Sequence, residues 1–201
     1  MKNVNFISDE LRLDGNHLCL NFINTIFDRH ASEIRDLITS REDWVAWLKK
    51  VNLIDKDFED FKETKFELSN IVETRELFYR LFKAIQLKKV VLKKDLKQFE
   101  ALLLKKQRSI KLSVLNGKPF QETVLNDKNL NDYLLPIIQT AYELFMSDKI
   151  NRIKMCNHCG WLYLDISKNN SRKWCSMDTC GSQLKAKRYY RNKKAKATFE
   201  D

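Results

Sequence analysis

CNHCGWLYLDISKNNSRKWCSMDTCGSQLKAKRYYRNKK, residues 156–194, decides how the last quarter of this chain folds. Cys156 and Cys159 form a C-x2-C pair, fifteen residues separate it from Cys175, and Cys180 follows after four more. Zinc prefers soft thiolates in a tetrahedron, and a C-x2-C turn supplies two of them from one backbone knuckle. Gly160, just after the first pair, suits the open backbone of such a knuckle. Paired knuckles at this separation are a specific short signal. Four protein thiolates fill the coordination shell and leave no place for water or substrate. The expected cofactor is therefore one structural Zn2+ per chain, held by Cys156, Cys159, Cys175 and Cys180.

Charge shows where such a module would point. The chain carries 37 Lys+Arg against 27 Asp+Glu, and residues 151–201 hold 12 of the bases but only four of the acids. The first 150 residues are close to neutral. This asymmetry is the footprint of a polyanion-binding end. Trp161–Leu162–Tyr163–Leu164 reads as a strand leaving the first knuckle, residues 168–171 as a polar turn, and Lys173–Trp174 as the return strand. A helix is expected from about Asp178. Its Met177, Cys180 and Leu184 side faces the zinc core, and Lys185, Ala186, Tyr189 and Lys193 face away. Such a helix fits a major groove, where Lys and Arg neutralise phosphates and Gln183 could pair with an adenine edge. The candidate nucleic-acid residues are Arg172, Lys173, Gln183, Lys185, Lys187, Arg188, Arg191 and Lys193. Double-stranded DNA is the expected partner. The alternatives are RNA, with Trp161, Tyr163, Trp174, Tyr189 and Tyr190 stacking on bases, or a protein-interaction or redox-sensing module that loses zinc on thiolate oxidation.

The first 150 residues read as a mostly helical domain. Residues 17–27 form an amphipathic stretch, and Thr39-x-x-Glu42 resembles a capping box before Trp44 and Trp47. The longest periodic run, residues 66–91, carries a stripe from Leu68 to Ile85. Another helix is expected over residues 95–106. Two alternating segments, residues 109–114 and 119–124, flank Asn116–Gly117 and predict a β-hairpin. Pro136 fits the first turn of a last helix, which runs into the first knuckle without a spacer. The expected fold is mainly α with a β-hairpin, a helical domain over residues 1–150 and a treble-clef-like four-cysteine finger over residues 151–201.

Other features bound the function. No stretch has the character of a signal peptide or a membrane span. Four of five cysteines are committed to metal and Cys19 is left alone, which fits a reducing cytoplasm. Three histidines, His17, His30 and His158, make no catalytic motif, and there is no phosphate-cradling glycine loop or nucleophile elbow. A non-enzymatic role is expected. His17, Asn21 and Asn24 recur at helical spacing and, with Arg75, are candidates to line a small-molecule effector pocket; a solvated helix face reads the same way. A homodimer is compatible with this organisation.

Three segments together resemble a known family: GNHLCLNFINT at residues 15–25, RELFYRLFKA at residues 75–84, and the C-terminal stretch quoted above. They are similar to the bacterial CGNR zinc-finger proteins with an ABATE-type N-terminal domain, proposed to be stress-induced transcription regulators. The resemblance implies that the four cysteines are metal ligands, that the helical domain has an unassigned ligand, and that the finger binds DNA. Two motifs depart from the family pattern. The namesake tetrapeptide reads Cys180–Gly181–Ser182–Gln183, with Ser and Gln where Asn and Arg are usual, so the Arg charge is missing. Asn21 stands where the family has Asp, which implies a different response to any cationic effector.

Overall fold

The computed structural model describes residues 11–58, 64–126 and 128–197, with side chains in the last helix described only in part. Among the described residues, four helices precede the hairpin: α1 (Leu18–Ile23), α2 (Arg41–Lys50), α3 (Leu68–Gln86) and α4 (Lys93–Gln107). The hairpin is β1 (Ile110–Leu115) and β2 (Lys118–Thr123), followed by a short 3-10 turn and α5 (Leu134–Phe145). Then come β3 (Ile153–Met155), β4 (Leu162–Leu164), a π-helical turn at Met177–Gly181, and α6 (Ser182–Ala197).

Local chemistry explains most boundaries. The cap of α2 lies one residue later than the sequence suggests: Ser40 accepts from the Asp43 N–H at 3.1 Å. The Asp43 carboxylate in turn accepts from the N–H and hydroxyl of Thr39 at 2.9 and 2.8 Å. This is a variant of the capping box in which Asp43, not Glu42, reaches back, and to the residue before the cap. Asn116 and Gly117 both have positive φ, 53° and 74°, as a two-residue type I′ turn requires. The hairpin pairs Leu112 with Gln121 and Val114 with Pro119. The first amphipathic stretch makes a shorter helix than expected, because the chain turns after Asn24 towards the finger.

One buried cluster joins α1 to α5. Trp44 and Trp47 stack with ring centres 5.3 Å apart, and Phe22 meets them at 5.9 and 5.5 Å. Ile71, Phe78 and Phe82 of α3 and Ile137, Ile138 and Ala141 of α5 complete it. Large aromatic rings dominate the buried area here, as expected for a small helical core.

The finger is built onto this core through β4. Alternate strand residues point to opposite faces. Leu162 and Leu164 enter the helical core together with Ile153, whereas Trp161 and Tyr163 pack around the cysteines. A four-residue apolar run thus serves as the wall between two cores. The partner of β4 differs from the sequence expectation. It pairs antiparallel with β3, which precedes the knuckle, with Ile153 opposite Leu164 and Met155 opposite Leu162. Lys173 and Trp174 form no strand; the segment is held by the Asn157 N–H donating to the Lys173 carbonyl at 3.4 Å.

Candidate metal centre and its surroundings

The β3–β4 hairpin brings the first knuckle to the tip of a short antiparallel ladder. The Cys156 N–H donates to the Trp161 carbonyl at 2.8 Å and the Gly160 N–H to the Cys156 carbonyl at 3.0 Å. Gly160 has a φ of +71°, and a Cβ there would lie 2.9 Å from the His30 ring. Glycine is needed for both conformation and space. The second pair comes from the loop before the π turn and from that turn itself. At the end of that turn a Cβ on Gly181 would come within 2.6 Å of the Met177 sulfur, so a larger residue would displace that exposed thioether.

All four cysteines are buried and unbridged, and their sulfurs lie within 4.8 Å of one another. Cys159–Cys175, Cys175–Cys180 and Cys180–Cys159 separations are 3.8, 3.6 and 3.7 Å. A zinc–sulfur bond of about 2.3 Å gives a tetrahedron with edges of about 3.8 Å, so the cluster fits one zinc ion. The donor chemistry agrees. Packed together, the thiols oppose one another: hydrogen bonding from Cys159, then Cys175 and Cys180, lowers Cys156, while hydrogen bonding from Cys156, then Cys175 and Cys180, raises Cys159. A shared cation lets all four ionise. Bound there, zinc would fold the finger, with no open position for catalysis.

Two arginines flank the cluster on its aromatic walls. The Arg12 guanidinium lies 4.4 Å from the Trp161 ring centre and donates to the Thr179 hydroxyl. The Arg172 guanidinium lies 5.1 Å from the Tyr163 ring centre and donates to the Cys175 carbonyl. Arg172, expected as a phosphate contact, is therefore turned into the finger, where its charge offsets that of the thiolates.

Asp165 is the residue that sequence reasoning missed. It is fully buried directly after β4 and accepts four hydrogen bonds. These come from Lys154 Nζ and the Arg172 N–H, both at 2.8 Å, and from the Ser167 N–H and hydroxyl at 2.9 and 2.6 Å. Burial raises its pKa, but Lys154, Ser167 and Arg172 outweigh burial and hold the carboxyl well below the usual range. The spacing D-x-S-x4-R was the available signal: an acid followed by Ser at +2 marks a side-chain-closed turn.

The candidate pocket residues do not converge on one cavity. Asn24 is buried, and its amide donates to the Leu162 carbonyl at 2.8 Å and accepts from the Leu162 N–H at 3.1 Å. It replaces a neighbouring strand on the free edge of β4. Gly15 and Asn16 continue this edge: the Leu164 N–H reaches the Gly15 carbonyl at 2.9 Å and the Asn16 amide reaches the Leu164 carbonyl at 3.0 Å. Asn21 accepts from the Gly15 N–H at 2.9 Å, which fixes that turn. Arg75 is buried, donating to both Asp36 oxygens at 2.7 and 2.5 Å and to the Thr25 hydroxyl at 3.1 Å. His17 lies 3.3 Å from the Cys19 sulfur. Residues flanking α1 thus dock the finger, because β4 leaves backbone groups that must be paired.

The basic helix α6 leaves the π turn with Gln183, Lys185 and Arg191 exposed, as is Lys173 before it. The side chains of Lys187, Arg188 and Lys193 lie outside the described residues. Tyr189 and Tyr190 are 64% and 69% exposed and meet edge to face at 5.7 Å, packed on each other and not on the hairpin.

Fold and site together define a helical protein carrying a four-cysteine structural zinc finger. Residues 16–147 match the model of the ABATE family, described as "Putative stress-induced transcription regulator", and residues 152–193 match that of the CGNR zinc finger. The chain belongs to the ABATE family and carries a CGNR zinc finger. Comparison with curated proteins gave no match. Among the described residues no helix is long and apolar enough to cross a membrane.

Proposed function

We propose that this chain is a cytoplasmic transcription regulator that binds double-stranded DNA through α6. One observation carries this reading: seven of the sixteen residues of α6 are Lys or Arg and none is acidic. The helix projects from a rigid, metal-held base, and its described basic side chains are exposed. Cations on a preformed helix neutralise phosphates, and the groove-facing side chains then read bases. Zinc supports this by fixing the angle at which α6 leaves the finger; it takes no part in chemistry. Retained thiolates fit a reducing compartment. The test is selection of duplexes from a random pool by zinc-loaded protein, with a Lys185→Glu/Arg191→Glu variant as control. Enrichment of a shared sequence, lost in the variant, supports the reading; no enrichment and no binding overturns it.

RNA is the second reading, favoured by the two exposed tyrosines, which offer stacking surfaces for unpaired bases. Stronger retention of single-stranded RNA than of duplex DNA, lost in Tyr189→Ala/Tyr190→Ala, would establish it.

A further inference from the structure

We propose that a cleft between α3 and the segment after α1 binds a small organic monocarboxylate, and that its occupancy is transmitted to the first zinc knuckle. The cleft has a volume of about 310 Å³, and its polar wall is formed by Arg29, Asp36, Arg75, Glu76 and Lys83. That volume lies at the small end of ligand pockets, enough for a molecule of about ten heavy atoms.

The lining specifies the ligand's charge. Arg29 donates to both Glu76 oxygens at 2.9 and 3.0 Å, and Arg75 is matched by Asp36. Lys83 has no carboxylate partner among the described residues; its ammonium lies 5.1 Å from the Tyr79 ring centre. Three cations thus face two carboxylates, which suits one negative charge and not the near-dianion of a phosphate. Arg29 adds a second observation. Its side chain is only 8% exposed, and its Nε–H is buried with no acceptor. Unpaired buried donors are uncommon and call for a partner. A carboxylate in the cleft would pair with Lys83 and, once the Arg29 side chain turns outward, accept from its Nε–H. Ile26, Ile34 and Tyr79 supply the apolar part of the wall, so the remainder of the ligand should be hydrocarbon or aromatic.

The route to the zinc site is short. The Arg29 N–H donates to the Cys159 carbonyl at 2.9 Å, and its guanidinium sits 3.7 Å from the Tyr79 ring centre. The Tyr79 hydroxyl donates to the Gly160 carbonyl at 3.4 Å. The Trp161 indole N–H donates to the Ile26 carbonyl at 2.6 Å. Residues that line the cleft therefore hold three consecutive knuckle residues. A ligand that tightens Arg29 and Tyr79 should stiffen the knuckle and slow metal loss.

The test uses zinc-loaded, full-length protein, titrated calorimetrically with benzoate and isovalerate, with benzamide and inorganic phosphate as controls. Zinc transfer to a chromogenic chelator is followed in parallel. Saturable carboxylate binding is expected, weakened about tenfold by Lys83→Ala through loss of a charge-assisted contact and by Ile34→Trp, which fills the cleft from its exposed rim. Zinc transfer should slow at least about twofold on saturation, as expected when a ligand binds better to the protein with its knuckle intact. Failure of both carboxylates to saturate, equal binding of benzamide, tighter binding of phosphate, or full affinity in both variants overturns the site. Unchanged zinc transfer at saturation overturns the coupling. No arm of the experiment involves nucleic acid, so its failure is distinct from failure of the DNA reading.

Discussion

His158 Nε2 lies 2.7 Å from Gln183 Oε1, joining the first zinc knuckle to the second residue of α6. With the imidazole N–H donating to the amide oxygen, the Gln183 NH2 is left to bond another acceptor. The amide oxygen keeps a second lone pair, so a bidentate contact with adenine would share that oxygen with His158. The same contact fixes the amide plane, and its NH2 also suits a phosphate oxygen or a base acceptor.

Gln183→Glu is the sharp test of that arrangement. The substitution keeps an acceptor for His158 but turns the outward group from donor to anion. Duplex binding should weaken by roughly 1–3 kcal/mol, seen by fluorescence anisotropy. Unchanged or tighter binding would remove Gln183 from the interface.

Metal content checks the centre itself. The protein should carry about one zinc per chain, and Cys175→Ser or Cys180→Ser should abolish stoichiometric binding. Because Leu162 and Leu164 belong to the helical core, loss of zinc should also lower the thermal midpoint of the helices by several degrees. Helical circular dichroism should persist at low temperature. A helical transition indifferent to zinc would show that β4 couples the two cores weakly.

Asp165→Asn should destabilise the finger by roughly 2–4 kcal/mol, because it leaves Lys154 with carbonyl acceptors but no counter-charge and sets an amide NH2 against donors. The folded pKa of Asp165 is depressed. Its contribution is therefore fully present above the ordinary carboxylate range and is lost as pH falls through the lowered value. At neutral pH the difference between wild type and variant should be constant, as read by chelator-induced unfolding. A variant equal to wild type would make the four contacts dispensable.

How much of this was legible beforehand depends on the kind of interaction. The ligand set was readable because C-x2-C is a local geometric device, and Asn116–Gly117 was readable because few dipeptides accept two positive φ values. Long helices were readable from their stripes. The pairing of β3 with β4 was not, since Ile153–Met155 is too short to alternate visibly. Asn24 looked like a pocket residue because sequence shows a polar side chain but not the strand edge it completes. Arg172 and the other basic residues look alike in sequence; only the fold turns one inward.

His17 gives a pH dependence of opposite origin to that of Asp165. Burial, and secondarily Lys149, lowers its pKa against a smaller opposing effect of Glu143. Below its ordinary value of 6.5 the unfolded chain takes up a proton that the folded protein resists. Stability should therefore fall as pH drops through that value, and level off below the lowered folded value. In His17→Gln this part of the slope should vanish between pH 8 and 5.5 in urea titrations. An identical slope would assign the dependence to other groups.

The last prediction separates two basic residues that the sequence placed in one class. Lys185 is exposed on α6, whereas the Arg172 guanidinium donates to the Cys175 carbonyl and stacks on Tyr163. If α6 neutralises phosphates, log K falls linearly with log salt, with about 0.9 of slope for each contact. Lys185→Ala should flatten the slope by about one unit and weaken all duplexes alike, leaving zinc retention intact. Arg172→Gln should do the reverse. It removes a buffering charge beside the thiolates and a bond that holds the second ligand loop, so zinc should transfer to a chelator faster. At saturating zinc its salt slope should match wild type. An Arg172 variant with normal zinc retention and a flatter slope would return that residue to the phosphate footprint, and the inward orientation would then not persist on DNA.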